Sequence, residues 1–124
     1  MSELPTTDDQ VLLLHNPHCS KSRAVEAILR EQRIEFTVRP YLDEPLSRAE
    51  LDDLRGRLDR PPREWIRRGQ KEYAALGLDA GSSDAAHLDA MAEHPVLMER
   101  PIVVRGERAI VGRPPHGVLD LFDD

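Results

Sequence analysis

Val11-Leu12-Leu13-Leu14-His15-Asn16-Pro17-His18-Cys19-Ser20-Lys21-Ser22-Arg23 joins a short, wholly apolar run to the opening of an amphipathic one. Val11 to Leu14 reads as a buried strand, and Asn16-Pro17 breaks it. From Ser20 the pattern turns helical, with Val25, Ile28 and Leu29 on one face and Ala24 and Ala27 beside them. Phe36, Val38 and Tyr41 then mark a second strand, which ends at Pro40 and the loop to Pro45. A helix between two strands is long enough for a crossover, so the pair is predicted to be parallel and connected right-handed.

Working outward, Ser47-Arg48-Ala49-Glu50 is a capping-box pattern ahead of Leu51, Leu54 and Leu58, which share a helix face. Pro61-Pro62 predicts a short helix over Arg63 to Arg68, with Trp65 and Ile66 as its apolar residues. Gly77 and Gly81-Ser82-Ser83 are breaks, and Ala85, Leu88, Met91 and Ala92 suggest a further helix stopped before Pro95. Ile102-Val103-Val104 is a strand, Gly106-Glu107 a two-residue hairpin turn, and Ala109-Ile110-Val111 the antiparallel return. Gly112-Arg113-Pro114-Pro115 opens a last helix, with Pro in its first turn, carrying Val118, Leu121 and Phe122. The order βαβ, helices, ββα is that of a thioredoxin-like α/β fold with a mixed sheet. On this reading residues 1–124 form a single domain, with a helical insertion at about 44–98.

A chain of 124 residues is the size of one domain and can bury a core without staples. Hydrophobic residues at 40% and charged residues at 32% fit a soluble globular protein. No apolar run approaches the roughly 20 residues of a membrane helix. The first ten residues hold three acids (Glu3, Asp8, Asp9) and no base, unlike a secretory signal, so the expected location is the cytoplasm. A net charge of −6 argues against nucleic acid as a partner. The bases are nonetheless lopsided, 15 Arg against 2 Lys. Base composition of the genome is one explanation. The other is that some arginines bind an oxyanion, which suits their planar fork of donors.

Cys19 is the single cysteine, which excludes an intramolecular disulfide and a Cys-rich zinc site. It stands where the first strand gives way to the first helix. There the leading N–H groups lack intrahelical partners and the dipole is positive, so the Cys19 pKa should fall below its free value. Lys21 and Arg23 add positive charge, as would protonated His15 and His18. A buried structural cysteine is the alternative, and the charged neighbours make apolar burial awkward. Ser22 occupies the place of the second sulfur of a Cys-x-x-Cys dithiol, and Val25 that of a phosphatase-loop arginine. Adjacent residues 67 and 68 on a predicted helix point in different directions, and solvation is the default for both. His87 and His94, seven apart, are expected on a helix surface. His15, His18 and Cys19 are too close in sequence for good tetrahedral geometry, so no metal is expected.

The segment His15 to Arg23 resembles the active-site motif of the ArsC family of glutaredoxin-dependent arsenate reductases, Asn-Pro-x-Cys-x-x-Ser-Arg. Further blocks agree in order. Arg63-Glu64-Trp65-Ile66-Arg67-Arg68 with Tyr73 resembles that family's helix supplying an oxyanion-binding arginine. Glu93-His94-Pro95 with Leu97 to Val104 resembles the block with a second arginine before a proline, and Gly112-Arg113-Pro114-Pro115 the block with a third. The resemblance spans roughly residues 11–122. It implies Cys19 as nucleophile, Arg67, Arg100 and Arg113 as the oxyanion's ligands, and Pro101 as a cis proline beside the cysteine. His15, Ser22 and Arg23 are supporting residues.

The activity so implied is reduction of arsenate to arsenite. The Cys19 thiolate attacks arsenic while the arginines neutralise the oxyanion. Glutathione, a co-substrate and not a bound cofactor, then leaves a mixed disulfide on Cys19 that glutaredoxin removes. A single cysteine makes an external thiol obligatory. The sequence departs from well-known arsenic-resistance members at Ser20-Lys21, where they tend to carry Gly-Thr. Two alternatives stay open: a monothiol glutathione-dependent oxidoreductase of the same fold without arsenate specificity, and a non-enzymatic Spx-like regulator, against which Ser22 counts.

Overall fold

The computed structural model describes residues 4–123. Its sheet has four strands in the order β2-β1-β3-β4: β1 (Val11–Leu14), β2 (Thr37–Arg39), β3 (Ile102–Arg105) and β4 (Arg108–Val111). β1 runs parallel to β2 and antiparallel to β3, and β3 pairs antiparallel with β4, with Leu13 opposite both Val38 and Val103. The sheet is therefore mixed, and the chain has the thioredoxin-like α/β fold.

The continuous apolar run of β1 follows from its central place, with both faces covered. Leu12 and Leu14, with Ile102 and Val104, face a core that includes Leu51, Leu54, Trp65, Leu88 and Leu97. Val11, Leu13 and Val103 face the other way, onto Val25, Ile28, Leu29, Val118 and Leu121. Four helices supply these layers: α1 (Ser20–Glu31), α2 (Arg48–Leu58), α3 (Lys71–Ala75) and α4 (Asp84–Glu93). Val25, Ile28 and Leu29 of α1 are buried, while Ala27 is exposed. The capping box of α2 is complete: Ser47 Oγ accepts from Glu50 N–H, and Glu50 accepts from Ser47 N–H.

Three elements differ from expectation. β2 spans only residues 37–39, and Tyr41 lies beyond Pro40 in a turn, 1% exposed. Pro40 donates no N–H, so the ladder stops there. The chain turns on the Pro40 carbonyl, which accepts from Asp43 and Glu44 N–H at 2.9 Å. No helix runs from Arg63 to Arg68. A 3-10 turn over Pro62–Glu64 gives way to an antiparallel bridge, Ile66 to Met98. Arg67 N–H donates to Leu97 O at 2.6 Å and Glu99 N–H to Trp65 O at 2.9 Å, so cross-chain bonds replace helical ones. The last helix, Pro115–Phe122, is 3-10 throughout. Gly117 within it weakens α propensity.

Gly112 marks a close approach. A Cβ there would stand 2.7 Å from Val25 Cγ2 of α1 and 2.9 Å from Pro101 Cγ, distances no side chain tolerates without movement of its neighbours. Its N–H donates to Pro101 O at 2.8 Å. The peptide bonds before Pro101 and Pro114 are cis.

Candidate active site

Cys19 is the N-cap residue of α1, with extended backbone (φ −103°, ψ 124°), and is half-buried. Its partial burial pushes the thiol up. The N–H groups of Ser22 and Lys21 and the positive charges of Arg100 and Arg113 outweigh that, and the thiol lies below its ordinary range. Arg113 Nη2 stands 3.8 Å from Cys19 Sγ. Lys21 thus acts through its backbone N–H.

The arginines reach this place from separate elements. Arg67 directly follows the bridge at Ile66 and is half-buried, whereas Arg68 lies in the turn beyond it and is exposed. Arg67 Nη1 donates to Val96 O at 3.2 Å, and the Gln70 side-chain amide, oriented oxygen-first, accepts from Nη2 at 2.7 Å. Burial and the nearby charge of Arg100 depress the basicity of Arg67. Arg100 precedes the cis Pro101, and its carbonyl accepts from Arg113 Nε at 2.8 Å. Glu99 stands between the two, 3.1 Å from Arg100 Nη1 and 3.6 Å from Arg113 Nε.

Behind the thiol, His15 is buried and its Nδ1 lies 2.7 Å from Ser22 Oγ. Ser22 Oγ also accepts from Asn16 N–H at 3.0 Å. With the Ser22 hydroxyl donating to Nδ1, the remaining proton sits on Nε2, facing Glu26 Oε1 at 4.0 Å. Burial holds the His15 pKa below its usual value, against the pull of Glu26, so the ring is neutral at pH 7. Arg23 reaches back to Pro17 O at 3.0 Å, closing the loop ahead of the helix.

Of the residues singled out from sequence, Cys19, Arg100 and Arg113 meet at one end of the sheet, Arg67 joins the two arginines, and His15 and Ser22 form the pair behind. His87 is a correction. It is fully buried, not on a helix surface. Its Nδ1 lies 2.9 Å from Ser83 O and its Nε2 3.3 Å from the Tyr73 hydroxyl, so both nitrogens are satisfied inside the core. Among the described residues, no group of three or more His, Cys, Asp or Glu is arranged to hold a metal ion.

Residues 14–121 match the ArsC family model. The chain belongs to the ArsC family. Its ArsC-family relatives include YfgD of Escherichia coli K12, an uncharacterized protein 43% identical over 114 residues, which are 90% of this chain and 96% of that protein. A Rhizobium meliloti protein named arsenate reductase is 43% identical over 115 residues, 92% of this chain and 82% of its own. Among solved structures, one described as an arsenate reductase from Vibrio cholerae superposes with a TM-score of 0.86 at 44% identity, covering 90% of this chain and 97% of that one.

Two side chains of this ArsC-family site went unread in the sequence. Glu99 lies between Arg100 and Arg113, where an acid runs against the charge logic of an arginine cluster, so no sequence pattern points to it. Tyr41, expected in the strand, lies just past its end. A usable signal existed: it follows β2 directly, at the carboxyl end of a parallel pair, where α/β sheets gather their ligands.

Proposed function

We propose that this protein reduces arsenate to arsenite, with glutathione as reductant and glutaredoxin resolving the product disulfide. One observation carries the reading: a thiol held below its ordinary range at a helix start, 3.8 Å from one guanidinium and within the field of a second. The names of the Rhizobium and Vibrio relatives support arsenate as the oxyanion.

In the proposed cycle, the Cys19 thiolate attacks arsenic(V), an S–As bond forms, and an arsenate oxygen leaves as water after protonation. Arg67, Arg100 and Arg113 offset the oxyanion charge that would otherwise repel the thiolate. A glutathione thiolate then attacks the Cys19 sulfur. The S–As bond breaks with its electron pair passing to arsenic, and arsenite departs. The Cys19–glutathione disulfide holds the oxidising equivalents. A glutaredoxin thiolate attacks the glutathione sulfur and frees Cys19 as thiolate. His15 and Ser22 fix the loop that places Cys19. The reducing cytoplasm, where both partners are available, is the proposed location. Among the described residues no helix is long and apolar enough to cross a membrane.

Arsenite formation with glutathione and glutaredoxin, beside a Cys19→Ser control, tests this. Turnover above the uncatalysed rate, lost in the control, is the expected result. A second reading, a monothiol glutathione-dependent oxidoreductase without arsenate specificity, is favoured by the Ser20-Lys21 departure. It requires no arsenite to form while glutaredoxin still releases glutathione from Cys19.

A further inference from the structure

Tyr41 presents an unexplained polar atom at the pocket. The residue is 1% exposed, and among the described residues its hydroxyl finds no acceptor for its proton. A buried hydroxyl left unpaired is costly, and native structures leave few. The side chain has no easy route to solvent. Its loop is held by Arg39, whose guanidinium donates to Glu44 O at 2.9 Å and Pro45 O at 2.7 Å while clamping Glu50 with bonds of 2.7 and 3.0 Å.

The neighbours show what is missing. Burial pushes the phenol up to about 12, opposed by the charges of Arg100 and Arg67 and by the Asn16 side chain, and reinforced by Cys19. The hydroxyl therefore keeps its proton at any working pH and can donate. Arg100 and Arg67 are donors only. The Asn16 side chain pulls the phenol down, as a donating NH2 does, while its oxygen accepts from His18 N–H at 3.0 Å. Apart from the sulfur, the groups that act on Tyr41 all offer hydrogens. What the hydroxyl lacks is an acceptor.

We propose that Tyr41 is a substrate-binding residue whose hydroxyl donates a hydrogen bond to an oxygen of the tetrahedral oxyanion held by Arg67 and Arg100. This rests on the oxyanion pocket of the proposed function and extends it by a neutral donor. The arginines answer the charge of the anion. Tyr41 answers the presence of an oxygen acceptor at one corner of it, and adds no positive charge to a crowded group of cations.

Alkylation of Cys19 as a function of pH, at rising sulfate or arsenate, tests this in wild type and Tyr41→Phe. Phenylalanine keeps the ring and removes only the hydroxyl. The expected result is an unchanged thiol midpoint without anion, and half-protection by either anion at about tenfold higher concentration in the variant, the size of one hydrogen bond to a charged group. In steady state, the KM for arsenate should rise and that for glutathione should not. Equal protection in both proteins overturns the inference. So does a raised thiol midpoint with unchanged anion constants, which would assign Tyr41 to the sulfur, and so does a wild type that neither anion protects. A wild type whose anion binding depends on Tyr41, but which makes no arsenite with glutathione and glutaredoxin, upholds the inference and overturns the reductase reading.

Discussion

On α2, Arg48, Arg55 and Arg57 each meet a carboxylate of their own: Asp52 and Asp89 at 2.7 Å, Asp84 at 2.9 Å and Asp53 at 2.8 Å. Around Cys19, Arg100 and Arg113 share Glu99 at 3.1 and 3.6 Å, and Arg67 leans on neutral oxygens. The same residue type thus serves two ends. Where each guanidinium has its own acid, the charge is neutralised, within α2 for Arg57 and across to α4 for Arg48 and Arg55. Where three converge with one acid among them, positive charge is left over, and the oxyanion of the proposed function would relieve the repulsion among the cations. An excess of arginine in an acidic chain has no functional meaning until this division is drawn.

The largest expected effect breaks the comparison on the pocket side. Arg67→Ala, Arg100→Ala and Arg113→Ala should each lower kcat/KM for arsenate by about 10²–10³-fold, the scale of losing one preorganised donor to transition-state charge. Lysine replacements should recover only part, since a point charge lacks the fork. Arg68→Ala, with its exposed side chain, should stay near wild type in the same assay.

Next comes a split within the pocket. The charges of Arg100 and Arg113 hold the Cys19 thiol down, whereas Arg67 works on Tyr41 and on the other arginines. Alkylation rate against pH should show a midpoint below that of a free thiol. Removing Arg100 or Arg113 should move it upward, and Arg67→Ala should leave it in place. A midpoint at the free-thiol value in wild type would remove the electrostatic account of the nucleophile.

Glu99→Gln sharpens the contrast from the other side. Without its carboxylate the pocket gains a net charge, so sulfate should protect Cys19 at several-fold lower concentration, with an effect that fades as salt screens it. The smallest effect is expected on α2. Arg55→Ala breaks a half-exposed pair with Asp84 and should cost under about 1 kcal/mol in denaturant unfolding, with kinetics unchanged.

Much of this arrangement was readable in the residues alone. The β1 run, the helix from Ser20, the capping box at Ser47 and the Gly106-Glu107 hairpin all rest on local patterns, and local patterns survive folding. The thiol at the strand-to-helix junction was readable for the same reason. Residues 63–68 were misread because the bonds that shape them come from residues 97–99, thirty positions away, and no local propensity records such a pairing. Tyr41 is not legible in the sequence because a buried tyrosine near a strand looks like core until its hydroxyl is placed. His87 was misjudged since its burial depends on Tyr73 and the Ser83 carbonyl, partners that only the packed insertion supplies.

Gly112 touches three parts at once: Val25 on the helix that carries the thiol, Pro101 beside Arg100, and Val118 of the closing 3-10 helix, with Arg113 the next residue along. These parts meet where one hydrogen atom stands in for a side chain. They therefore have few independent degrees of freedom: a shift that moves Arg113 relative to Cys19 must also push on Val25 or Pro101. Fine adjustment is thereby left to side chains such as Glu99, beside Arg100 and Arg113, while the spacing of sulfur and guanidinium is set by a contact that has no room to be made larger.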